Sequence, residues 1–283
     1  MDSRAAAQLS EETTVMFDGA LLPPEWAVKT LIPVVLIDHF LQHQRSKVQH
    51  VMLEIGVSKV KFQYYLESES VAVSAVFGPS VLLFTGDMVV CGGYSQSIFR
   101  ALAAVCPIGT AVAEFTIAPR GNLLFTTRDG LGMVKGQLEL ETTGEPFKAF
   151  HLPGHDTYTC SHTVLTNDLR TILSAMPAVF SIAVDMKGQC LVFTGTTGEY
   201  RIQLNLTSYL VHNVSEEKVF VLRQHMVSCL AHVKSAQHVD LSIRDGFPVQ
   251  LTFYPSIARL VPGSHFTRDT SITFFIALYS QNF

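Results

Sequence analysis

Between His151 and His162 the chain reads HLPGHDTYTCSH, which sets His151, His155, Cys160 and His162 close together. These are zinc-ligand types, and a tetrahedral site needs four of them at a spacing one fold can deliver. The intervals match no standard finger, so no metal site is expected. Two carboxylates stand in Thr127-Arg128-Asp129-Gly130 and Ile243-Arg244-Asp245-Gly246. Asp-Gly between alternating apolar runs is hairpin-turn chemistry, and both are read as turns. The stretch GGYSQS, from Gly92 to Ser97, lacks the spacing of a nucleophile elbow. No GxxxxGK[ST] and no HExxH occur, and the eleven histidines have no triad partners. The expectation is a protein without catalytic residues and without a cofactor.

Composition narrows the class further. With 48% hydrophobic and 16% charged residues, the chain can bury a real core and is not a disordered tether. No run of 18 apolar residues exists, so no membrane-spanning helix and no membrane partner is expected. Residues 1–14 are polar and acidic after an alanine triplet, and are read as a frayed lead-in rather than a signal peptide. Cys91, Cys106, Cys160, Cys190 and Cys229 are odd in number and never in CxxC spacing, as expected of free thiols in a reducing compartment. A net charge of −4 argues against a general nucleic-acid coat but leaves room for one locally basic face.

The elements that would carry such a face come from a repeat. Ala118 to Thr143 and Asp185 to Ser208 echo each other. Each has a basic-Gly pair (Arg120-Gly121, Lys187-Gly188), an apolar run ending in Phe-Thr (Phe125-Thr126, Phe193-Thr194), a glycine turn and an alternating strand. A helical stripe precedes each echo: Ile98, Leu102 and Val105 after a cap at Ser95 or Ser97, and Leu169, Ile172, Leu173 and Met176 after Thr166 or Asn167. Residues 222–236 form a third predicted helix of this kind, followed by a strand, the Arg244-Asp245-Gly246 turn, PVQLTFYP and a closing strand TSITFFIALYS. A blurred copy opens the chain, with a helix expected over residues 23–40, begun by Pro23-Pro24 and disturbed at Pro33, then three strands.

The fold class is therefore α+β. Two similar domains, 15–141 and 159–283, each pack two helices on antiparallel sheets, joined by a connector over 142–158 rich in proline and glycine.

This order of elements resembles the DNA sliding clamps of the proliferating cell nuclear antigen superfamily, over roughly Val15 to Ser280. PVQLTFYP followed by SITFFIALYS is similar to the last strands of such clamps, with the aromatic pair Phe274-Phe275 ahead of Ile276-Ala277-Leu278. The stretch from Ala149 to Leu173, with Leu152-Pro153, is similar to the interdomain connector. An acidic tail after the last strand is missing, and the helices carry few basic residues.

The resemblance implies a non-catalytic ring or tracking subunit whose partners are double-stranded DNA held without regard to sequence, a polymerase or other replication and repair proteins, and further clamp subunits, in the nucleus. Sliding requires contacts to phosphates and none to base edges. The basic residues placed for this are Lys29, Arg45 and Lys47 on or just after the first helix, Arg100 on the second, Arg170 on the third, and Arg223 and Lys234 on the fourth. A partner groove carried over by local match takes Phe150, Leu152 and Pro153 from the connector, Pro248 from the third hairpin and Phe275, Ala277 and Leu278 from the last strand, with Tyr65 from the first half. Free edges at KGQLELET and EYRIQLNLTS would join subunits through Leu138, Leu140, Ile202 and Leu204. Three clamp readings stay open: a replicative clamp, a subunit of a heterotrimeric DNA-damage checkpoint clamp, and a viral polymerase accessory subunit that need not close a ring.

Overall fold

The computed structural model describes residues 29–33, 50–55, 59–66, 70–78, 83–85, 90–95, 112–117, 123–129, 131, 133–140, 152–154, 157–158, 160–185, 190–195, 201–205, 209–211, 218–233, 236–254 and 270–279. The chain divides into two units: residues 1–65, 74–150 and 257–270 form the first, and residues 66–73, 151–256 and 271–283 the second. The division at 150/151 falls inside the expected connector, but each unit also takes a short segment from the other side of it.

In the first unit, β1 (Lys29–Pro33), β5 (Leu83–Thr85), β7 (Val112–Ile117), β8 (Leu123–Arg128) and β9 (Val134–Leu140) form a sheet in the order β5-β1-β7-β8-β9. The strands β2 (His50–Ile55), β3 (Val60–Leu66), β4 (Val71–Phe77) and β6 (Val90–Ser95) follow the order β4-β3-β2-β6. Phe62 and Phe77 meet edge to face at 6.0 Å in its core. The helix expected over residues 23–40 is corrected where it can be seen, because Lys29–Pro33 is a strand. Pairing on both flanks, with β5 and with β7, overrides the local helical pattern. Pro33 has no N–H to give, and it sits at the strand end, opposite Val112 alone. Ser95, read as a helix cap, is the last residue of β6. The rest of the second predicted helix lies outside the described residues.

The second unit contains β10 (Cys160–Leu165), α1 (Thr166–Ala175), β11 (Val179–Asp185), β12 (Cys190–Gly195), β13 (Arg201–Asn205), β14 (Tyr209–Val211), β15 (Lys218–Leu222), α2 (Arg223–His232), β16 (His238–Ile243), β17 (Val249–Phe253) and β18 (Ser271–Ile276). One sheet runs β14-β10-β16-β17-β18 and the other β13-β12-β11-β15. Phe180, Phe193, Phe253 and Phe274 are its largest fully buried side chains, and Phe253 meets Phe274 edge to face at 5.7 Å. Cys160, Cys190 and Cys229 are buried and belong to no disulfide.

The echoed segments are equivalent meanders. Phe125 on β8 lies between Phe115 and Leu138, and Phe193 on β12 lies between Ile182 and Ile202. Both Asp-Gly sites are turns. Asp129 accepts from the N–H groups of Leu131 and Met133, each at 2.9 Å, and from Lys135 at 3.0 Å, which holds its carboxyl below the usual range. In the other, Gly246 adopts φ 76° and Phe247 N–H closes the turn on Arg244 O at 3.1 Å.

On β10, His162 is buried between β14 and β16, and desolvation lowers its pKa from 6.5 to about 4. The folded chain therefore keeps this imidazole neutral down to about pH 4, while the unfolded chain protonates it near 6.5. The stability tied to this group is full above pH 6.5 and is lost as pH falls toward 4, at up to about 1.4 kcal/mol per pH unit. The urea midpoint of the native chain should fall over this range more steeply than that of His162→Gln. Parallel curves would refute the assignment.

Candidate functional site

Two helices, one connector end and two sheet edges carry the residues the sequence singled out. The helices come first. β10 runs into α1 and β15 into α2 with no intervening loop, so Leu165 and Leu222, both extended, occupy the cap positions without a side-chain cap. The caps expected at Thr166 or Asn167 are corrected by this. The first helical N–H groups are taken by backbone instead: Thr166 donates to Gln237 O at 2.9 Å and Arg223 to Ala178 O at 2.8 Å.

The far ends of the helices are joined just as reciprocally. Arg170 on α1 donates to Leu230 O at 3.0 Å and Val233 O at 3.4 Å, at the end of α2. Arg223 on α2 donates to Met176 O at 2.8 Å, at the end of α1. Each guanidinium thus meets the terminal carbonyls and negative dipole end of the other helix. Both are half-buried, so they do not stand free on a DNA-facing side as expected. The apolar stripe Leu169, Ile172, Leu173 and Met176 is buried as predicted.

The exposed residues of α1 are Asn167, Asp168, Thr171, Ser174 and Ala175, and those of α2 include Gln224, Val227 and Ala231. The hydroxyls of Thr171 and Ser174 donate back to helix carbonyls, Asn167 O and Thr171 O. Among these described residues the exposed helix faces carry no cationic side chain. Lys29 lies on β1, and Arg45, Lys47, Arg100 and Lys234 lie outside the described residues.

The connector end is tied to the β16–β17 turn. Buried Tyr158 donates its hydroxyl to Pro248 O at 2.8 Å, and burial pushes that phenol far above its usual range. Arg244 donates to Thr157 O at 2.6 Å while its guanidinium lies over the Phe247 ring at 4.6 Å. Val249 pairs with Ile276, so Pro248 and Ala277 continue the same end of the β17–β18 ladder. Residues 157–158 of the connector thus lie against the third hairpin, at the end of the ladder that Pro248 and Ala277 continue. Leu152, Pro153, Pro248 and Leu278 are half-buried and Ala277 is exposed.

Phe275 is a correction: only 6% exposed and opposite buried Gln250, it belongs to the core. Tyr65 on β3 is 45% exposed, and Phe150 lies outside the described residues. Sequence reasoning missed Tyr158, Arg244 and Phe247. The Arg-Asp-Gly turn was recognised, but nothing local says that its arginine reaches a residue 87 positions away.

Of the candidate metal ligands, Cys160 and His162 are buried on β10, and His151 and His155 lie outside the described residues. Among the described residues no cluster of three or more His, Cys, Asp or Glu could hold a metal, and no helix is long and apolar enough to cross a membrane.

The proposed edges are terminal strands. β9 ends the first unit's five-stranded sheet and β13 ends the second unit's four-stranded sheet. Leu138 and Leu140 sit on β9, and half-buried Ile202 and Leu204 on β13.

No protein-family model matches the chain, and no curated protein matches it. Among solved structures it is similar to the PCNA of Thermococcus kodakaraensis, with a TM-score of 0.65 at 10% identity over 89% of this chain and 100% of that one. The chain has a distant form of the sliding-clamp fold, α+β and mostly antiparallel sheet.

Proposed function

We propose that this chain is a non-catalytic DNA sliding clamp, a processivity factor that tracks duplex DNA and carries replication or repair proteins in the nucleus. The observation that carries the reading is the repeated meander, β7–β8–β9 and β11–β12–β13, ending in the terminal strands β9 and β13, within a fold similar to that of PCNA. Edge strands left unpaired invite pairing with another chain. A heterologous contact of this kind closes a ring when its rotation allows. Such a ring needs no chemistry of its own, only topological hold on DNA and a docking face for its cargo.

Lys29 on β1, with Arg45, Lys47, Arg100 and Lys234, are the proposed phosphate contacts, and Arg170 and Arg223 are the supports of the helix pair α1–α2. The face built by Leu152, Pro153, Pro248, Ala277 and Leu278 is the proposed cargo site, with Phe150 and Tyr65 as further candidates. The exposed residues of α1 and α2, none of them cationic among those described, favour a second reading, an accessory or checkpoint-type subunit whose hold on DNA is shared with its partners.

The test is retention. Loaded onto circular duplex DNA, the protein should survive a high-salt wash and be lost once the circle is cut. Equal loss from circular and linear DNA would refute topological tracking.

A further inference from the structure

We infer that the tip of the β8–β9 hairpin is a docking knob, which enters an uncharged apolar cleft on a partner protein through Leu131, Met133 and Val134. The inference does not rest on the clamp reading. Leu131 is 90% exposed, Met133 63% and Val134 52%, all at the end of one hairpin. A single apolar side chain on a surface is ordinary, but a cluster of them marks a contact with something else.

The turn itself does not call for these side chains. Asp129 holds it: its carboxylate accepts from the N–H groups of Leu131 and Met133, each at 2.9 Å, and from the Lys135 ammonium at 3.0 Å. Its own N–H donates to Met133 O at 3.0 Å. Leu131 and Met133 thus give this bonding only backbone groups, which polar residues supply equally well and which turns ordinarily take from them. The backbone is fixed while the apolar side chains stand out in water. Little further ordering is then needed when a partner closes over them.

Charge and size select the occupant. Between Leu123 and Leu140 the cations Arg128 and Lys135 are matched by the acids Asp129 and Glu139, and Lys135 already holds Asp129. A lipid surface asks for surplus cations beside the apolar groups, and a duplex asks for them at its phosphates. The hairpin has no such surplus. A flat contact with a second copy needs roughly 20–30 residues a side, and this tip is far smaller. A convex tip of balanced charge is complementary to a concave, uncharged, apolar pocket, and such pockets are a feature of proteins.

Photo-crosslinking from the tip tests this. The full chain carrying benzoylphenylalanine at position 131 should give a discrete protein adduct in extracts of its native cells, with the link on apolar residues of that protein. The captured protein, once purified, should bind the native chain with little dependence on salt. Leu131→Ser combined with Met133→Ser should weaken that binding on the order of 100-fold while the urea midpoint stays at its native value. Asp129→Ala should weaken it roughly tenfold with both anchors present, because the turn is no longer held. Asp129→Asn keeps an acceptor for the two N–H groups and should bind as the native chain does. No adduct, an adduct only with a second copy, or native binding by the double serine variant would each overturn the inference. So would an alanine variant at 129 that binds as well as the asparagine one. Flotation with phosphatidylcholine–phosphatidylserine vesicles, or a shift of duplex DNA, that disappears in the double serine variant would assign the tip to lipid or to DNA and overturn the protein cleft.

Discussion

Alanine at Arg170 or Arg223 should destabilise the second unit by about 1.5–3 kcal/mol each, the usual range for a hydrogen bond to a charged group. It should leave the salt dependence of DNA association unchanged. Arg170 satisfies Leu230 O and Val233 O, and Arg223 satisfies Met176 O. These are terminal helix carbonyls with no partner inside their own helices. Removing a guanidinium strands a part-buried acceptor and uncovers the negative end of a helix dipole. Lysine should rescue Arg170 poorly, since one ammonium on a flexible stem cannot reproduce a planar group that holds Leu230 O and Val233 O from Nη2 and Asn167 Oδ1 from Nη1. A phosphate contact behaves differently: its loss lowers affinity on every sequence and reduces the salt slope by about one. Urea unfolding and a salt titration on the same variants separate the two roles. Unchanged stability with a shallower salt slope would return these arginines to the DNA path.

Replacing Leu152 and Leu278 together by serine should weaken cargo binding on the order of 100-fold, the loss expected when two anchors of about 1.4 kcal/mol or more are truncated. Both are half-buried apolar residues, on segments that converge through the Tyr158–Pro248 bond and the β17–β18 register. Folding should change little, because neither belongs to the closed core. Phe275→Ser is the instructive contrast. Its ring is buried, and its loss should cost about 3–5 kcal/mol of stability, so failure to bind cargo there would report unfolding. Tyr158→Phe should give an intermediate result, since it removes one of the two ties on the connector end, the Arg244–Thr157 bond remaining, and leaves both apolar anchors in place. Binding of a polymerase or repair factor to the folded serine double variant at native strength would remove this face from the cargo site.

What was legible in the sequence is what local periodicity dictates. Alternation over two residues marks a strand wherever it stands, so the meanders β7–β8–β9 and β11–β12–β13 could be aligned from their Phe-Thr runs before their pairing was known. Asp-Gly and Arg-Asp-Gly turns depend on a few adjacent residues, and both form. The stripe Leu169, Ile172, Leu173 and Met176 needs only helical spacing, and it is buried. What only the tertiary structure decided depends on residues far apart in the chain. Lys29–Pro33 became a strand because β5 and β7 flank it. β14, three residues and too brief to carry a period, forms through β10. Arg170 and Arg223 read as solvent-facing by helical position, yet the opposing helix end lies within reach and its carbonyls outcompete water for them. Phe275 alternates as an outward residue would, but its strand is covered on both faces. A side chain's local spacing says which way it points, and only the assembled neighbours decide whether water, a core or another backbone is waiting there.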